Sequence, residues 1–435
     1  MGGDALSPPI NIPPPAPHAT NGEHTMKNEP KIAATATPIA VIDRAAFSAA
    51  VEKIKLVTVT RDIIPILANV KLAAEAGDLV LTGTDISMDI RIRVPGEVDS
   101  RFSTTVPVSL LASMCSKSPK SDRIVMSLPA AQEDNTGDNA SEAASARFEF
   151  GKAVFWLQTI SPTDFPEAKT FKAKPHRFAL PGSTLWNAFD AVKAAISTEE
   201  TRYYLNGVYF HLASDATYRY DDDAEGGKSL FLRATATDGH RLYSQTMSAA
   251  KGSLKMPGVI IPSKAVNVLH KLLKGKFAPR QVDIKMDEEL FVIGWDNVQI
   301  ATKLVDGEFP DYGRVMPTGN DKVATLDAKD LNDTLQAVTV IASERGRAVK
   351  AVFEGGKCTL SVNNPDTGAA SSDLGCDYEG ERIEIGFNAD YLTSMIANAC
   401  PAGGDIVFQM ASASDPILIR GEENGWLGVL MPMRV

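Results

Sequence analysis

The chain is poor in the residues that build reactive centres. Its four cysteines, Cys115, Cys358, Cys376 and Cys400, are scattered, with no C-x-x-C spacing. That excludes a zinc-finger or dithiol redox pattern and fits free thiols in a reducing compartment. Two of the six histidines, His18 and His24, fall near the start, and His176, His211, His240 and His270 are dispersed with no H-E-x-x-H among them. No metal site and no cofactor is expected. No eighteen-residue apolar run and no basic segment leading into an apolar core occurs, so the reading is cytoplasmic, without a membrane partner. A phosphate loop is missing too. EGGKS at 225–229 ends correctly, but Asp222 stands where the first glycine of that loop is required. No G-x-G-x-x-G opens a helix, which removes a dinucleotide site.

What remains is ample core material: 435 residues, 44% of them hydrophobic, enough for several domains. The formal charge of -10 favours solubility and argues weakly against a nucleic-acid partner, although a sum cannot exclude one basic face. Residues 1–35 are different: six prolines between 8 and 17 and no periodicity read as a disordered leader. The segments 130–145 and 214–229, acidic or rich in small residues, read as solvated loops.

The main signal is repetition. A helical stretch followed by strands occurs in FSAAVEKIKLVT with ILANVKLAAEAGDLVLTGTDISMDIRIRV. It recurs in GSTLWNAFDAVKAAI with YYLNGVYFHL and SLFLRATATDGHRLYSQTM, and again in DAKDLNDTLQAVTVIA with AVKAVFEGGKCTLSVNN. Each copy then offers a second helix and a strand pair: VPVSLLASMCSKSP before SARFEFGKAVFWLQTI, IPSKAVNVLHKLLKG before ELFVIGWDNVQIATKLV, and FNADYLTSMIANACPAG before DIVFQMASASDPILIRG. Leu185, Phe189, Val192 and Ile196 form one helical stripe, as do Val266, Leu269 and Leu273. Phe148, Phe150, Val154 and Trp156 alternate as on a strand. The fold class expected is α+β, with two helices per unit packed on antiparallel sheet. Polar, proline-bearing stretches put the units at 36–170, 171–316 and 317–435.

TATDGHRLYS at 235–244 is where acid–base chemistry would be sought, because Asp238, His240 and Arg241 stand together. The matching turn of the first copy, TGTDISMD, keeps the Thr and Asp but not the His and Arg. An aspartate recurring at a turn is expected to accept backbone N–H bonds there. Charge gives a second hint. Residues 261–280 hold Lys264, Lys271, Lys274, Lys276 and Arg280 and no acid, while Lys53, Lys55, Arg61, Lys117, Lys120, Arg123, Lys193 and Arg202 mark related regions. Cations recurring on a helical layer suit sequence-independent phosphate contact. The third copy follows poorly, since Lys329 is offset by Asp327, Asp330 and Asp333.

RDIIPILANV, LVLTGTDISM, RYYLNGVYF, ATDGHRL, FPDYGRVMP and the terminal VLMPMRV, spread in order over about 37–435, resemble the bacterial DNA polymerase III beta subunit, the processivity sliding clamp. The resemblance implies three clamp domains per subunit and two subunits closed head-to-tail into a homodimeric ring, with helices lining a hole for double-stranded DNA. It implies no catalysis. Polymerase III alpha subunit, the clamp loader, and other DNA polymerases and repair enzymes would dock through short linear motifs between the central and C-terminal domains. Carried across by motif, that pocket comprises Leu205, Thr237, Gly239, His240, Arg241, Leu242, Pro310, Arg314, Val315, Val429, Leu430, Met431, Pro432, Met433 and Arg434. Arg61 and Arg202 match DNA-near arginines of the family, whereas Lys53, Lys55, Lys117, Lys193, Lys264, Lys271 and Lys274 are assigned to DNA by the charge argument. The sequence departs from the resemblance at Gly313, a position often basic, at Glu199 and at the terminal Val435. Two other readings are a trimodular scaffold that binds no DNA and a hydrolase centred on Asp238 and His240.

Overall fold

A computed structural model describes residues 38–59, 64–99, 102–128, 145–213, 230–275, 278–343, 347–421 and 425–434. The leader, Arg61, Lys276, Val435, the 214–229 loop and all but the last residue of the 130–145 loop lie outside them. Among the described residues are the helices α1 (Arg44–Ile54), α2 (Val108–Lys117), α3 (Gly182–Val192), α4 (Ser263–Leu272), α5 (Ala328–Thr339) and α6 (Ala389–Ala399). They pack as the pairs α1 with α2, α3 with α4 and α5 with α6.

Their starts follow local chemistry. Asp43 caps α1 by accepting from Ala46 N at 2.7 Å, Asp327 caps α5 from Asp330 N at 2.8 Å, and Asn388 caps α6 from Tyr391 N at 3.0 Å. Pro107, Pro181 and Pro262 precede the other three. Apolar spacing fixes the buried faces: Phe47, Ala50, Val51 and Ile54 in α1, and Ala265, Val266, Val268 and Leu269 in α4. The stripe at 185–196 ends sooner than its periodicity suggests. α3 stops at Val192, Lys193–Ala195 tightens to a 3-10 turn, and Ile196 is extended.

The strands form four sheets. One runs Gly96–Val98, Pro38–Asp43, Arg123–Ser127, Ser145–Phe150, Ala153–Gln158. An eight-stranded sheet joins the central copy to the first: His176–Leu180, Val282–Met286, Leu290–Trp295, Val298–Lys303, Met88–Val94, Asp78–Thr84, Asn69–Glu75, Ser103–Pro107. Another joins the central copy to the last: Val259–Pro262, Gly207–Ala213, Phe231–Thr237, Arg241–Ser248, Trp426–Leu430, Ile417–Gly421, Asp405–Met410, Lys322–Asp327. The fourth runs Gly368–Gly375, Lys357–Asn364, Ala348–Glu354, Ile383–Asn388. The repeats are therefore not sealed off from one another. At each of two junctions, a strand from one copy hydrogen-bonds directly to a strand of the next.

Trp156 corrects the expected alternation. In the hairpin, Phe148 pairs with Phe155 and Arg147 with Trp156, so Phe155 and Leu157 take the inner face. Trp156 is 41% exposed. The turn between Phe150 and Ala153 is two residues long, and odd positions of the second strand therefore continue the inward set.

The turns closing Asp78–Thr84 onto Met88–Val94 and Phe231–Thr237 onto Arg241–Ser248 have the same hydrogen bonds. Asp85 Oδ1 accepts from Met88 N and Asp238 Oδ1 from Arg241 N, at 2.6 and 3.0 Å. At the left-handed position the second copy has Gly239, at φ +91° with Arg202 close above it, while the first has Ile86 at φ 74°. A β-branched residue is strained there. Ile86→Asn should stabilise the protein by about 1 kcal/mol, because asparagine tolerates this conformation and Ile86 is largely exposed. A thermal midpoint that falls would refute the strain argument.

Candidate docking crevice and helix-face cations

The second junction builds an apolar row on the sheet face opposite the helices. Leu242 pairs with Val429, and Val429 with Leu418 on the next strand. These three, with Leu427 and Met316, form a small buried cluster distinct from the main core, with Tyr312 at its margin. Strand alternation explains the division: Leu427 and Val429 point to this face, whereas Trp426 and Leu430 join the core under the helices. Leu430 is thus core rather than crevice. Val315 and Met431 are 52% and 42% exposed, and both belong to the segments bordering the row. Leu205 lies in a neighbouring cluster with Ile260 and Phe309, and Tyr312 touches both clusters.

The segment 306–321 lies across this face because its side chains are anchored from below. Phe309 stacks on Tyr209 at 4.8 Å, and Tyr209 on His211 at 4.3 Å. His211 donates from Nδ1 to Leu212 O at 2.9 Å and accepts from the Tyr312 hydroxyl at 3.0 Å. Burial, helped by the nearby Arg233 charge, pushes His211 down to about 4, so it is neutral at pH 7 and fitted to accept. Arg233 also donates to the Tyr312 oxygen, at 3.4 Å. Buried His211 and Arg233 thus hold the half-buried Tyr312 and fix the turn Tyr312–Val315, which Asp311 closes by accepting from Gly313 N at 3.2 Å. Pro310 and Arg314 remain exposed, with Arg314 paired to Asp311 at 3.2 Å.

The TDGHRL residues divide their work. Asp238 accepts from His240 N at 2.9 Å, Arg241 N at 3.0 Å and the Arg241 side chain at 3.0 Å, which commits both its oxygens to the turn. Thr237 Oγ1 accepts from Gly239 N at 3.1 Å and donates to Arg241 O at 2.7 Å. Arg241 is turned inward: it lies 4.3 Å over the Tyr391 ring and donates to Tyr243 and to Ala194 O. It ties the 3-10 turn that follows α3 to the hairpin and to α6. His240 is exposed and stacks on Tyr391 at 6.4 Å. The chain's last described residues are bound by backbone, with Met431 N donating to His240 O at 2.9 Å and Met433 N to Gly386 O at 2.8 Å. Pro432 and Met433 are half-buried and Arg434 is exposed. Among the described residues, no group of three or more His, Cys, Asp or Glu could hold a metal ion.

The helix-layer cations fall into two groups. Lys55 pairs with Glu52 at 3.1 Å, Lys193 with Asp190, and Lys264 with Asp85 of the first copy. Arg202 is held bidentately by Glu199 at 2.7 and 2.6 Å and donates to Asp238 O at 3.0 Å, so it braces the turn under Gly239. Lys117, Lys271 and Lys274 are exposed, with no ion-pair partner among the described residues, and Lys53 is half-buried. Lys53, Lys117 and Lys271 stand in the last turns of their helices, where the carbonyl ends favour positive charge. α5 and α6 carry no base in the last turn.

Reading by motif missed Met316, Leu418, Leu427 and Tyr312. Tyr312 and Met316 stand within the quoted FPDYGRVMP, and Leu427 precedes Val429 by one strand period. Leu418 had no sequence signal, since only long-range pairing brings it here.

Comparison with known proteins converges on one family. The chain matches the DNA polymerase III beta subunit N-terminal domain over residues 40–169, the central domain over 179–311 and the C-terminal domain over 313–434. It is 34% identical over 401 residues to the beta sliding clamp of Caulobacter vibrioides, covering 91% of this chain and 99% of that one. It is 30% identical to that of Escherichia coli over 376 residues, 86% and 94% of the two chains. Among solved structures, a sliding clamp from Bartonella birtlesii bound to griselimycin aligns with a TM-score of 0.80 and 38% identity, covering 91% of this chain and 99% of that one. The C. crescentus clamp with PEG bound to a putative beta-motif tethering region aligns at 0.81 and 33%, covering 91% and 98%.

Proposed function

The chain belongs to the DNA polymerase III beta subunit family, the sliding clamps, and from that premise we propose that the Leu242–Val429–Leu418 row is the port through which it holds its partners. The family's function is a ring that encircles duplex DNA, slides without sequence preference and tethers polymerase and clamp loader through peptide motifs. It is a tether and not a catalyst. Processivity follows from linkage, because a polymerase held to a ring that cannot leave the duplex stays at high local concentration near the primer end.

The observation that carries the port is an apolar row at a strand junction, bordered by Val315 and Met431, both large and about half exposed. Leu205, Leu242, Val429 and Met433 supply apolar walls, and methionine adapts to different guests. Thr237, Gly239, His240, Pro310, Arg314, Met431, Pro432 and Arg434 form the rim, with Arg241 and Leu430 supporting it from behind. Burying one leucine or phenylalanine of a guest contributes roughly 1.5–3 kcal/mol, and micromolar binding needs about 8. Two anchors and a few hydrogen bonds give weak, exchangeable capture, which suits a port shared by polymerase III alpha subunit, the clamp loader and other polymerases and repair enzymes. The relative with PEG at a putative beta-motif tethering region supports such a surface. The experiment is a titration of a polymerase-derived peptide against wild type and Leu242→Asp, with undiminished binding by the variant as the contrary result.

For DNA, we place Lys117, Lys271 and Lys274 nearest the phosphates, with Lys53, Lys55, Lys193 and Lys264 in the same layer and the protein working at the nucleoid. The ion-paired members contribute less, because each phosphate contact must compete with a carboxylate. K117A/K271A/K274A should reduce the slope of log affinity against log salt by about one unit per lysine that touches phosphate. An unchanged slope would place these lysines away from the duplex. No described helix is long and apolar enough to cross a membrane.

Ring closure needs surfaces that one chain leaves open. The sheet ending at Ala153–Gln158 and the sheet ending at Gly368–Gly375 each present a long strand with no neighbour on its outer side among the described residues. The opposite edge of the latter sheet is engaged by the Met433–Gly386 bridge. Trp156 lies on the first open edge. Val340, 83% exposed, caps α5, which packs on Gly368–Gly375. Joining one open edge to the other of a second copy, twice, closes a two-subunit ring and removes both edges.

A further inference from the structure

The first junction repeats the second in backbone detail. Asp89 pairs with Ala301 and Ala301 with Val292, as Leu242 pairs with Val429 and Val429 with Leu418. Lys303 N donates to Ser87 O at 2.9 Å where Met431 N donates to His240 O at 2.9 Å. The segments crossing the two faces align as TDFPEAKTF and GEFPDYGRV, which puts Lys169 where Gly313 stands and Phe171 where Val315 stands. A cleft of about 580 Å³ opens at the first junction, lined by Asp89, Phe165, Lys169 and Ala301 among others.

Its chemistry is the reverse of the port's. Asp89 takes the place of Leu242, and Lys169 Nζ reaches its Oδ1 at 2.7 Å while Lys169 N donates to Oδ2 at 3.5 Å. Thr84 Oγ1 donates to the same carboxylate. Both charged side chains are nearly buried, at 11% and 12% exposure. Phe171 packs against the cluster of Leu290, Val292 and Ala301.

We propose that Asp89, Lys169 and Phe171 are specificity-determining residues that close the first junction to apolar peptides, leaving one docking port per chain where the fold provides two. This inference rests on the reading of the second junction as the peptide port. The physical reason is desolvation. An apolar side chain docking along the Asp89–Ala301–Val292 register would have to move Phe171 off its cluster and separate a buried ion pair, and a carboxylate left unpaired in that setting is strongly unfavourable. At the second junction the same register holds no ion pair: Leu242, Val429 and Leu418 are apolar, with Met316 and Tyr312 against them. Glycine at position 313 belongs to the same logic, since no cation is present there to pair with a guest or to cover the row.

The test transplants the three residues. A fluorescein-labelled peptide bearing leucine and phenylalanine anchors is titrated calorimetrically against the full chain as wild type, L242D, D89L/K169G/F171V and the combined quadruple variant. Wild type should bind one peptide per chain, L242D should lose at least about 100-fold in affinity, the triple variant should bind two, and the quadruple variant should recover one. A folded quadruple variant that binds none, beside a normal wild type and an inactive L242D, overturns the proposal and leaves the port in place. If L242D itself still binds, the port reading fails instead. The reciprocal exchange is independent of whether the triple variant folds. G313K added to L242D should restore the thermal midpoint that the lone buried carboxylate lowers, without restoring peptide binding. A midpoint that stays low, or binding that returns, counts against the proposal.

Discussion

Replacing Val315 and Met431 together with aspartate is expected to abolish peptide capture while leaving the ring and its stability intact. Both side chains are about half exposed in the free protein, so the core loses little. A bound guest, however, would have to bury two carboxylates against the Leu242–Val429–Leu418 row. Losing two apolar contacts and adding that desolvation should cost at least about 3 kcal/mol, a loss of affinity of more than about 100-fold. Fluorescence polarisation with a polymerase-derived peptide measures it, and sedimentation checks the oligomer in the same samples. Primer extension on a long template should then become distributive, because loading and tethering both use the port. Retained micromolar binding would show that partners grip another surface.

Charging Val340 should open the ring. The residue is 83% exposed in the single chain, which gives it no fold-stabilising burial to lose. In a two-subunit ring the change counts twice. At about 2–3 kcal/mol for each interface, Val340→Asp should raise the dimer dissociation constant by about three to four orders of magnitude. Mass photometry across a dilution series reads this directly, with an unchanged thermal transition of the monomer as control. Persistence of the dimer at nanomolar concentration would move the seal away from the α5 cap and the Gly368–Gly375 edge.

Local chemistry made the repeat visible. Apolar stripes marked the buried faces of α3 and α4, and the shared Thr and Asp of TGTD and TATD pointed to two like turns, which share their hydrogen bonds. The reading of Asp238 as a turn cap rests on the same logic, and its two oxygens are spent there. What stayed hidden depends on partners far away in sequence. Nothing local says that Arg241–Ser248 pairs with Trp426–Leu430, so the sharing of sheets between copies, and with it the place of Leu418 in the crevice, could not be read. Arg241, assigned to the pocket by motif, is drawn inward by Tyr391 and Ala194 O, which are far from it in sequence. Trp156 was misassigned for a smaller reason, the register set by a two-residue turn. The ion pair of Asp89 with Lys169 joins residues 80 apart, and neither is unusual in its own stretch.

Weak port contacts and weak phosphate contacts serve replication only if the duplex passes through a closed ring. The direct measurement is retention of labelled protein, placed on a nicked circular plasmid by its clamp loader, before and after a single restriction cut in salt high enough to suppress lysine–phosphate attraction. The protein should remain on the circle for many minutes and leave within seconds once the ends are free. Equal retention on circular and cut DNA, or equal loss from both, would contradict encirclement.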